Sequence, residues 1–264
     1  MLLMATSARH IRRALIAIVL EVSLGCAGFA QSSAIEIRSP AHHVTLLELY
    51  TSEGCSSCPP AEAWVGGLRN DAGLWTEFVP LAFHVDYWDH LGWQDPWAER
   101  SYADRQRRYA AEWGSGTIYT PGFVLDGREW RDWRSQRTAL KAVAAKAGVL
   151  TASSTDGRQW AITFDAADAP DRADVHAALL WSGVHSDVKA GENRGRHLSH
   201  DFVVAALTRA PLTRRGDALH GEVALRPDRK PPAEARLALA VWVTRPGELS
   251  PLQAAGGWLP GAAD

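Results

Sequence analysis

The stretch TSEGCSSCPP, residues 51–60, decides how the fold of this chain is interpreted, because it holds two of the three cysteines. Cys55 and Cys58 have the spacing of a redox dithiol, of half a metal site or of a structural disulfide. A structural zinc site needs about four ligands, and the sequence has no second cysteine pair. A disulfide across so short a loop removes little entropy from the unfolded chain. The pattern therefore favours a redox dithiol.

The first thirty residues have the pattern of a secretory signal peptide. Three arginines precede an apolar run, residues 14–22, and small residues lead to Ala30. We therefore predict cleavage after Ala30 and an exported protein, periplasmic or secreted, in a compartment where disulfides persist. Acylation of Cys26, as in a lipoprotein, is the less favoured alternative. The apolar run is too short to span a membrane comfortably, so no membrane span is predicted.

Composition and charge indicate a globular protein that does not bind nucleic acid. The chain of 264 residues is 46% hydrophobic and 22% charged, which is ordinary for a soluble domain with a core. Removing residues 1–30 changes the basic count from 28 to 25 and the acidic count from 30 to 29. No basic stripe is present to neutralise phosphates, so no nucleic-acid partner is predicted.

The segments that follow alternate between strand-like and helix-like patterns. After an N-terminal linker, residues 31–41, strand-like runs occupy 44–50, 78–85 and 122–130, the last as a hairpin, and helix-like runs occupy 61–68, 98–113 and 135–147. This order predicts an α/β layer whose first two strands are parallel. We expect the arginines of the second helix to form a solvated face: Arg105, Arg107 and Arg108.

From about residue 151 the pattern changes to strands alone. Apolar runs are separated by Gly, Pro and Asp, without an amphipathic helix between them. We therefore predict an α/β domain over residues 42–150 followed by a smaller all-β, sandwich-like domain over residues 151–264.

A Cys-x-x-Cys pair between a strand and a helix suits thiol chemistry. The free N–H groups and the dipole of a helix N-terminus favour an anion, which lowers a thiol pKa. If Cys55 is the N-cap, it is the nucleophile and Cys58 resolves the mixed disulfide. Pro60 should then kink the helix.

The stretch 42–148 resembles a thioredoxin fold, with Cys-Ser-Ser-Cys at the helix start and Thr120-Pro121 before a strand that hairpins back. The resemblance implies a cis bond before Pro121 and substrate binding beside it, with Thr120 as the preceding residue. Two positions depart from thioredoxins: Leu49 stands in place of a buried aspartate, and Gly54 in place of a tryptophan. We expect the glycine to leave Cys55 more open.

Three longer stretches resemble one family more closely: LLELYTSEGCSSCPPAEA, FHVDYWDHLGWQDP and GENRGRHLSHDFVV. They are similar to a family of exported bacterial proteins known mainly as a domain of unknown function with a thioredoxin-like part. The resemblance extends over most of the chain beyond residue 30, and it implies no particular substrate.

The aromatic stretch after the second strand should lie near the cysteines, because parallel strands end at the same edge of a sheet. Tyr87, Trp88 and Trp93 are candidates for a substrate-binding platform, or they only pack the connection against the fold. Glu53 and Asp86 are candidate proton carriers for the thiols, although surface carboxylates are common.

The histidines each have a structural alternative to a role in catalysis or metal binding. His84 either faces the dithiol or is a hydrogen-bonded core residue, and the core role is the more common one. His197 and His200, with His185 and Glu192 nearby, suggest a metal site, but their spacing in a loop or strand is poor for one. We favour instead a polar contact between this segment and the first domain, through Glu192, Asn193 and Arg196.

These features predict an exported thiol–disulfide oxidoreductase that acts through Cys55 and Cys58. Its partners would be protein thiols or disulfides, with a possible redox partner protein, and it would need no bound cofactor or metal. One alternative is a Cu(I)-handling, thioredoxin-like chaperone that binds the metal through both thiolates. The other is a non-catalytic interaction module of the cell envelope.

Overall fold

A computed structural model describes residues 34–135, 140–141 and 143–260. The predicted signal peptide and Cys26 lie outside the described residues. Within those residues, no helix has the length and apolar character needed to cross a membrane.

The described chain is mostly β-strand. Its two α-helices are α1 (Pro59–Gly66) and α2 (Arg100–Glu112), with short 3₁₀ helices at Gly67–Asn70 and Asp86–Leu91. The strands are β1 (Ile35–Arg38), β2 (His42–His43), β3 (Thr45–Thr51), β4 (Phe78–His84), β5 (Gly122–Leu125), β6 (Arg128–Glu129), β7 (Val143–Lys146), β8 (Val149–Ser154), β9 (Gln159–Asp165), β10 (Arg172–Ser182), β11 (Val184–Asp187), β12 (His197–His200), β13 (Val203–Arg215), β14 (Ala218–Ala224), β15 (Arg236–Thr244) and β16 (Pro251–Trp258).

Twelve of these strands form one mixed sheet. Nine follow the order β1-β8-β9-β14-β13-β4-β3-β5-β6, and β10, β15 and β16 continue from β13 along a second path. β3 and β4 are parallel, as the sequence predicted, and β5 pairs antiparallel with β3. β2 pairs with β7 and β11 with β12 outside this sheet.

The predicted fold class, an α/β thioredoxin-like domain followed by a smaller all-β domain, is wrong. Strands from both predicted parts share the large sheet, because β13 begins beside β4: Val203 pairs in parallel with Ala82, and the Ala82 N–H donates to the Phe202 carbonyl at 2.8 Å. All seven residues of β4 are buried. One edge of β4 pairs with β3. The backbone N–H and C=O groups on its other edge are also buried, so they need a further strand, which β13 provides.

Two local predictions also fail. A helix was predicted over 135–147, but residues 143–146 form β7, which pairs with β2. Residues 136–139 and 142 of the predicted helix lie outside the described ones. Arg105, expected on a solvated face of α2, is buried. Its Nε and Nη2 donate to the Glu48 carboxylate at 2.7 and 2.8 Å. Arg107 and Arg108 are exposed, as predicted.

Two apolar cores meet on opposite faces of β15. Alternate residues of this strand enter a core shared with β3, β4 and both helices: Ala238, Ala240 and Trp242. The intervening residues enter a second core shared with β8, β9 and β14: Leu239, Val241 and Val243. Because successive side chains of a strand point to opposite faces, one strand contributes to both cores. The cysteine segment, which we define as residues 52–58, directly follows β3, a strand of the first of these cores.

Candidate functional site

Cys55 and Cys58 are joined by a disulfide, with their Cα atoms 5.4 Å apart. The cysteine segment begins as β3 ends, where the Cys55 N–H donates to the Ser52 carbonyl at 3.1 Å. The Cys58 N–H donates to the Cys55 carbonyl at 3.2 Å, which brings the two sulfurs together. Cys55 is only 1% exposed and Cys58 is fully buried. The disulfide is therefore present but covered.

Helix α1 begins at Pro59, two residues before the predicted helical run 61–68. Cys58, not Cys55, is the N-cap, and Pro59 and Pro60 occupy the first two helical positions. Pro60 does not kink the helix, because the first turn has no N–H bonds to lose. The next two N–H groups, of Ala61 and Glu62, donate to the Cys58 carbonyl at 2.9 and 3.1 Å. None of the first four helical positions therefore offers a free N–H to a thiolate.

Trp88 fills the space that Gly54 was expected to leave open. A Cβ on Gly54 would lie 2.8 Å from the Trp88 Cβ, so the prediction of a more open Cys55 is wrong. The Trp88 Nε1–H donates to Thr120 Oγ1 at 2.7 Å. The Thr120–Pro121 bond is cis, as the resemblance implied. Trp88 thus links the cysteine segment to Thr120.

A cleft of about 500 Å³ opens beside the cysteine segment. Ser57, between the two cysteines, lines it together with Thr120 and Pro121. The remaining lining is aromatic and basic: Tyr119, Phe123, Trp130, Arg131, Trp133 and Arg134. Two of the five predicted substrate-binding residues therefore line a cleft next to the disulfide.

Tyr87 and Trp93 occupy other environments. The Tyr87 hydroxyl donates to Gln106 at 3.3 Å, and burial raises the pKa of Tyr87 to about 12. The Trp93 Nε1–H donates to Glu53 Oε2 at 2.7 Å. Neither ring lines the cleft beside Ser57. Asp86 is half-buried at the start of a 3₁₀ helix.

Glu53 is a buried acceptor with several partners. Besides Trp93, the Trp97 Nε1–H donates to its Oε1 at 2.9 Å, and His200 Nε2 lies 3.0 Å from the same oxygen. Its backbone N–H donates to Asp95 Oδ2 at 2.8 Å. These contacts hold Glu53 in a buried polar cluster, while the hydrogen-bond partner of Cys55 Sγ is the Ser57 hydroxyl at 3.3 Å.

Two buried histidines complete the cluster. His200 contacts Glu62 through Nδ1 and Glu53 through Nε2. Burial alone would lower the pKa of His200, but the charge of Glu62 and the bonds to both carboxylates raise it to about 10. Burial favours a neutral Glu62, yet the charge of His200 prevails and lowers the pKa of Glu62. His200 and Glu62 therefore form a buried ion pair.

His84 has a partner on one side only. Its Nδ1 lies 2.8 Å from Asp95 Oδ2, whereas its Nε2 is buried without a hydrogen-bond partner among the described residues. The His84 and His200 rings are 5.0 Å apart and nearly perpendicular. The sequence singled out both histidines but not Glu62 or Asp95. Glu62 could have been noticed, because it is one turn after Cys58 on the same helix face.

The predicted polar contact from the later segment is confirmed for Glu192 and Asn193, whereas Arg196 contacts Asn193 within its own segment. Asn193 Nδ2 donates to the Glu53 and Cys55 carbonyls at 2.8 and 2.9 Å. Glu192 Oε2 accepts the Ser56 N–H at 2.9 Å, and Arg196 donates to Asn193 Oδ1 at 3.0 Å. We name residues 188–196 the cover loop.

The alternative metal site of the sequence analysis is not assembled. His197 is exposed and lies 2.9 Å from Asp187, and His185 lies 2.9 Å from Ser199. These two rings stack on each other, whereas His200 contacts Glu62 and Glu53 in the interior.

Comparison with known proteins identifies the family but no activity. No curated protein matches the sequence. A crystal structure of an Agrobacterium tumefaciens protein is similar over 82% of this chain and 95% of its own, with 24% identity and a TM-score of 0.60. HBP35 of Porphyromonas gingivalis is similar over 86% of this chain and 79% of its own, with 12% identity and a TM-score of 0.50. Residues 46–244 match the family described as protein of unknown function DUF1223, and the chain belongs to that family.

Proposed function

We propose that this protein carries out thiol–disulfide exchange with protein or peptide substrates through Cys55 and Cys58. The observation that supports this best is the disulfide itself, which spans only three positions and adjoins a cleft lined by Ser57, Thr120 and Pro121. A cleft with aromatic and basic walls suits an extended peptide.

The exchange would proceed in two displacements. A substrate thiolate attacks Cys55 Sγ, the Cys55–Cys58 bond breaks, and Cys58 leaves as a thiolate. A second substrate thiolate then attacks the substrate sulfur of the mixed disulfide and releases Cys55. The substrate dithiol becomes a disulfide, and the protein gains the two electrons. In the reverse direction the reduced pair would reduce a substrate disulfide, and a partner protein would restore the starting state.

We assign the attacked sulfur to Cys55 because of its neighbours. Ser56 and Ser57 beside it are exposed, and Ser57 lines the cleft. Cys58 is the N-cap of α1 and its carbonyl accepts two helical N–H groups. The substrate therefore has a shorter approach to Cys55, and the fixed Cys58 suits the role of leaving and resolving thiol.

Burial of both sulfurs supports a second candidate, a non-catalytic interaction module with a plain disulfide. Cys55 is 1% exposed, and exchange depends on access to the attacked sulfur. The first candidate requires the cover loop or Trp88 to move, whereas the second requires no motion.

The two candidates are separated by oxidation of a reduced two-cysteine peptide by the chain without residues 1–30. We expect the wild type to oxidise the peptide and both Cys55→Ser and Cys58→Ser to lose this activity. Given the oxidised peptide instead, Cys58→Ser should accumulate a mixed disulfide, because its Cys55 thiolate attacks the peptide disulfide and no Cys58 thiol is left to resolve the product. Equal rates for the wild type and the double Cys→Ser variant would contradict exchange and favour the interaction module.

A further inference from the structure

Three buried side chains converge one helical turn after Cys58. Glu62, His84 and His200 each present a metal-ligating atom, and these atoms lie within 4.8 Å of one another. The three residues come from different elements: α1, the end of β4 and the end of β12. Such convergence requires the complete tertiary fold, which is why no spacing in the sequence shows it.

The unsatisfied nitrogen His84 Nε2 is the observation that indicates a bound ligand. His84 is fully buried, and this nitrogen has no hydrogen-bond partner in the part of the chain that the structure describes. A buried polar atom without a partner is unfavourable, because it has lost its hydrogen bonds to water. A ligand between His84 and the Glu62–His200 pair would satisfy this nitrogen.

The surrounding carboxylates have the arrangement that metal sites use. Asp95 lies at the Nδ1 side of His84, and Glu53 at the Nε2 side of His200. Metal-ligating histidines characteristically direct their second ring nitrogen to a carboxylate, which fixes the ring and makes the ligating nitrogen more basic. Both histidines here have such a partner. Asp95 and Glu53 are in turn held by the Trp97 N–H and the Trp97 Nε1–H, at 2.9 Å each.

We propose that Glu62, His84 and His200 form a binding site for a divalent transition-metal ion, with His84 Nε2, His200 Nδ1 and a Glu62 carboxylate oxygen as ligands. Two imidazoles and one carboxylate are a common zinc ligand set. Zinc bonds of roughly 2.0–2.2 Å put tetrahedral ligand atoms roughly 3.3–3.6 Å apart. The three ligand atoms lie within 4.8 Å of one another, but His200 Nδ1 must release its proton and separate from Glu62, to which it is now hydrogen-bonded. The site uses neither sulfur, so it is independent of the proposed disulfide exchange.

Burial determines how the site should be loaded. His84 and His200 are at most 1% exposed and Glu62 is 7% exposed. An ion would therefore enter during folding or through local opening, and its binding would stabilise the folded state. In the experiment, the protein comprising residues 31–264 is therefore refolded under oxidising conditions, in the presence or absence of ZnCl₂. Metal content after gel filtration and the Tm are then measured.

We expect about one zinc per chain and a higher Tm in the refolded wild type. His84→Gln and Glu62→Gln should each lose the zinc and the zinc-dependent shift in Tm. His185→Gln, which changes an exposed histidine that stacks on His197, should retain both and serves as the matched control. The double Cys55→Ser, Cys58→Ser variant should also retain zinc.

Three results would overturn the proposal. They are a wild type that retains no zinc, a His84→Gln variant that retains it, and loss of zinc in the double cysteine variant, which would show that zinc binding is not independent of the cysteines. If His84→Gln does not fold, Co²⁺ loaded into the wild type decides the question. The proposed ligands predict visible absorption of four- or five-coordinate Co²⁺ without a sulfur charge-transfer band, and such a band or the spectrum of aqueous Co²⁺ contradicts them.

Discussion

Individual charged residues in this protein have very different environments, even on one helix. Arg105 of α2 forms two bonds with Glu48 in the interior and also lies 5.4 Å from the Trp242 ring centroid. Arg107, two positions later, contacts Asp104 with half of its side chain in solvent. A buried ion pair that loses one partner leaves an uncompensated charge, whereas an exposed pair contributes little.

We therefore expect Arg105→Met to lower the free energy of unfolding by roughly 3–5 kcal/mol. Arg107→Met, the matched change on the same helix, should lower it by about 0–1 kcal/mol. Urea denaturation of both variants beside the wild type measures the difference. Comparable losses in the two variants would show that Arg105 is not the buried partner of Glu48.

His176 gives the protein a sensitivity to acid. It is stacked on Trp242 with ring centroids 5.1 Å apart, and its Nε2 lies 3.3 Å from Thr244 Oγ1. Burial, helped by the positive charges of three arginines, lowers the pKa of His176 to about 3. Since the unfolded chain has a His pKa near 6.5, the unfolded state binds the proton first as the pH falls. Acid therefore favours unfolding through this residue.

We expect the wild type to lose stability relative to His176→Gln as the pH falls from 7 to 5. The difference in their free energies of unfolding should change by up to about 1.4 kcal/mol per pH unit below the unfolded-state pKa. The contribution is constant above that pKa, so the difference between the two proteins should be level from pH 7 to 8. Parallel pH profiles over the acid range would contradict a neutral buried His176.

At the scale of elements, the strands were the most predictable part of the fold. Five apolar runs of the later half each fall on a strand: 159–164, 175–181, 202–207, 220–225 and 237–243. The two parallel strands beside the cysteines are also where the sequence predicted them. What the runs could not show is the partner of each strand. The continuous apolar sequence of β15 is compatible with burial on both faces, but only the fold reveals that two different cores lie there. The short strands β2 and β7 depend on pairing with each other, so local pattern did not predict them.

Helix α1 has an N-terminus that stabilises a thiolate less than the cysteine spacing suggested. An N-cap side chain normally accepts a hydrogen bond from the backbone N–H of the second or third helical residue. Here Pro60 occupies the second position and has no N–H to donate to the Cys58 sulfur. Pro60→Ala would supply that donor. Stabilising the thiolate stabilises the reduced form, so the pair should become more oxidising.

We therefore expect Pro60→Ala to be reduced to a greater extent than the wild type at the same ratio of reduced to oxidised glutathione. Pro231→Ala, the same change at an exposed proline, should match the wild type. The reduced fraction is measured by trapping free thiols with an alkylating reagent in the denatured protein. An unchanged equilibrium in Pro60→Ala would show that the proline does not limit thiolate stability.

At the scale of the whole molecule, the site depends on residues far apart in the sequence. The cysteines and Thr120-Pro121 could be identified from sequence because their chemistry is local and their resemblance to known patterns is direct. The buried carboxylate–histidine cluster could not, since Glu62, His84 and His200 meet only when β12 packs against α1. The contact from Asn193 was predicted as a polar contact, but its effect is visible only in the structure, where it lies over the cysteine segment.

The cover loop is the part of the molecule that should control access to the disulfide. Asn193, itself 1% exposed, donates two hydrogen bonds to backbone carbonyls of the cysteine segment. Each such bond contributes roughly 0.5–1.5 kcal/mol to the closed arrangement. Removing both should raise the population in which the loop has moved away, and with it the rate at which a thiol reaches Cys55.

We expect Asn193→Ala to be reduced by dithiothreitol roughly 5- to 150-fold faster than the wild type, because two bonds of this strength together contribute about 1–3 kcal/mol. Lys189→Ala, on the same loop, changes an exposed side chain 3.7 Å from Asp187 and should leave the rate unchanged. The measurement follows the appearance of free thiols under native conditions. Equal rates for all three proteins would show that the cover loop does not limit access to the disulfide and would leave Trp88, which lies against Gly54, as the remaining cover. A faster rate in Asn193→Ala with an unaltered Tm would show that opening of the loop, not unfolding, exposes the disulfide.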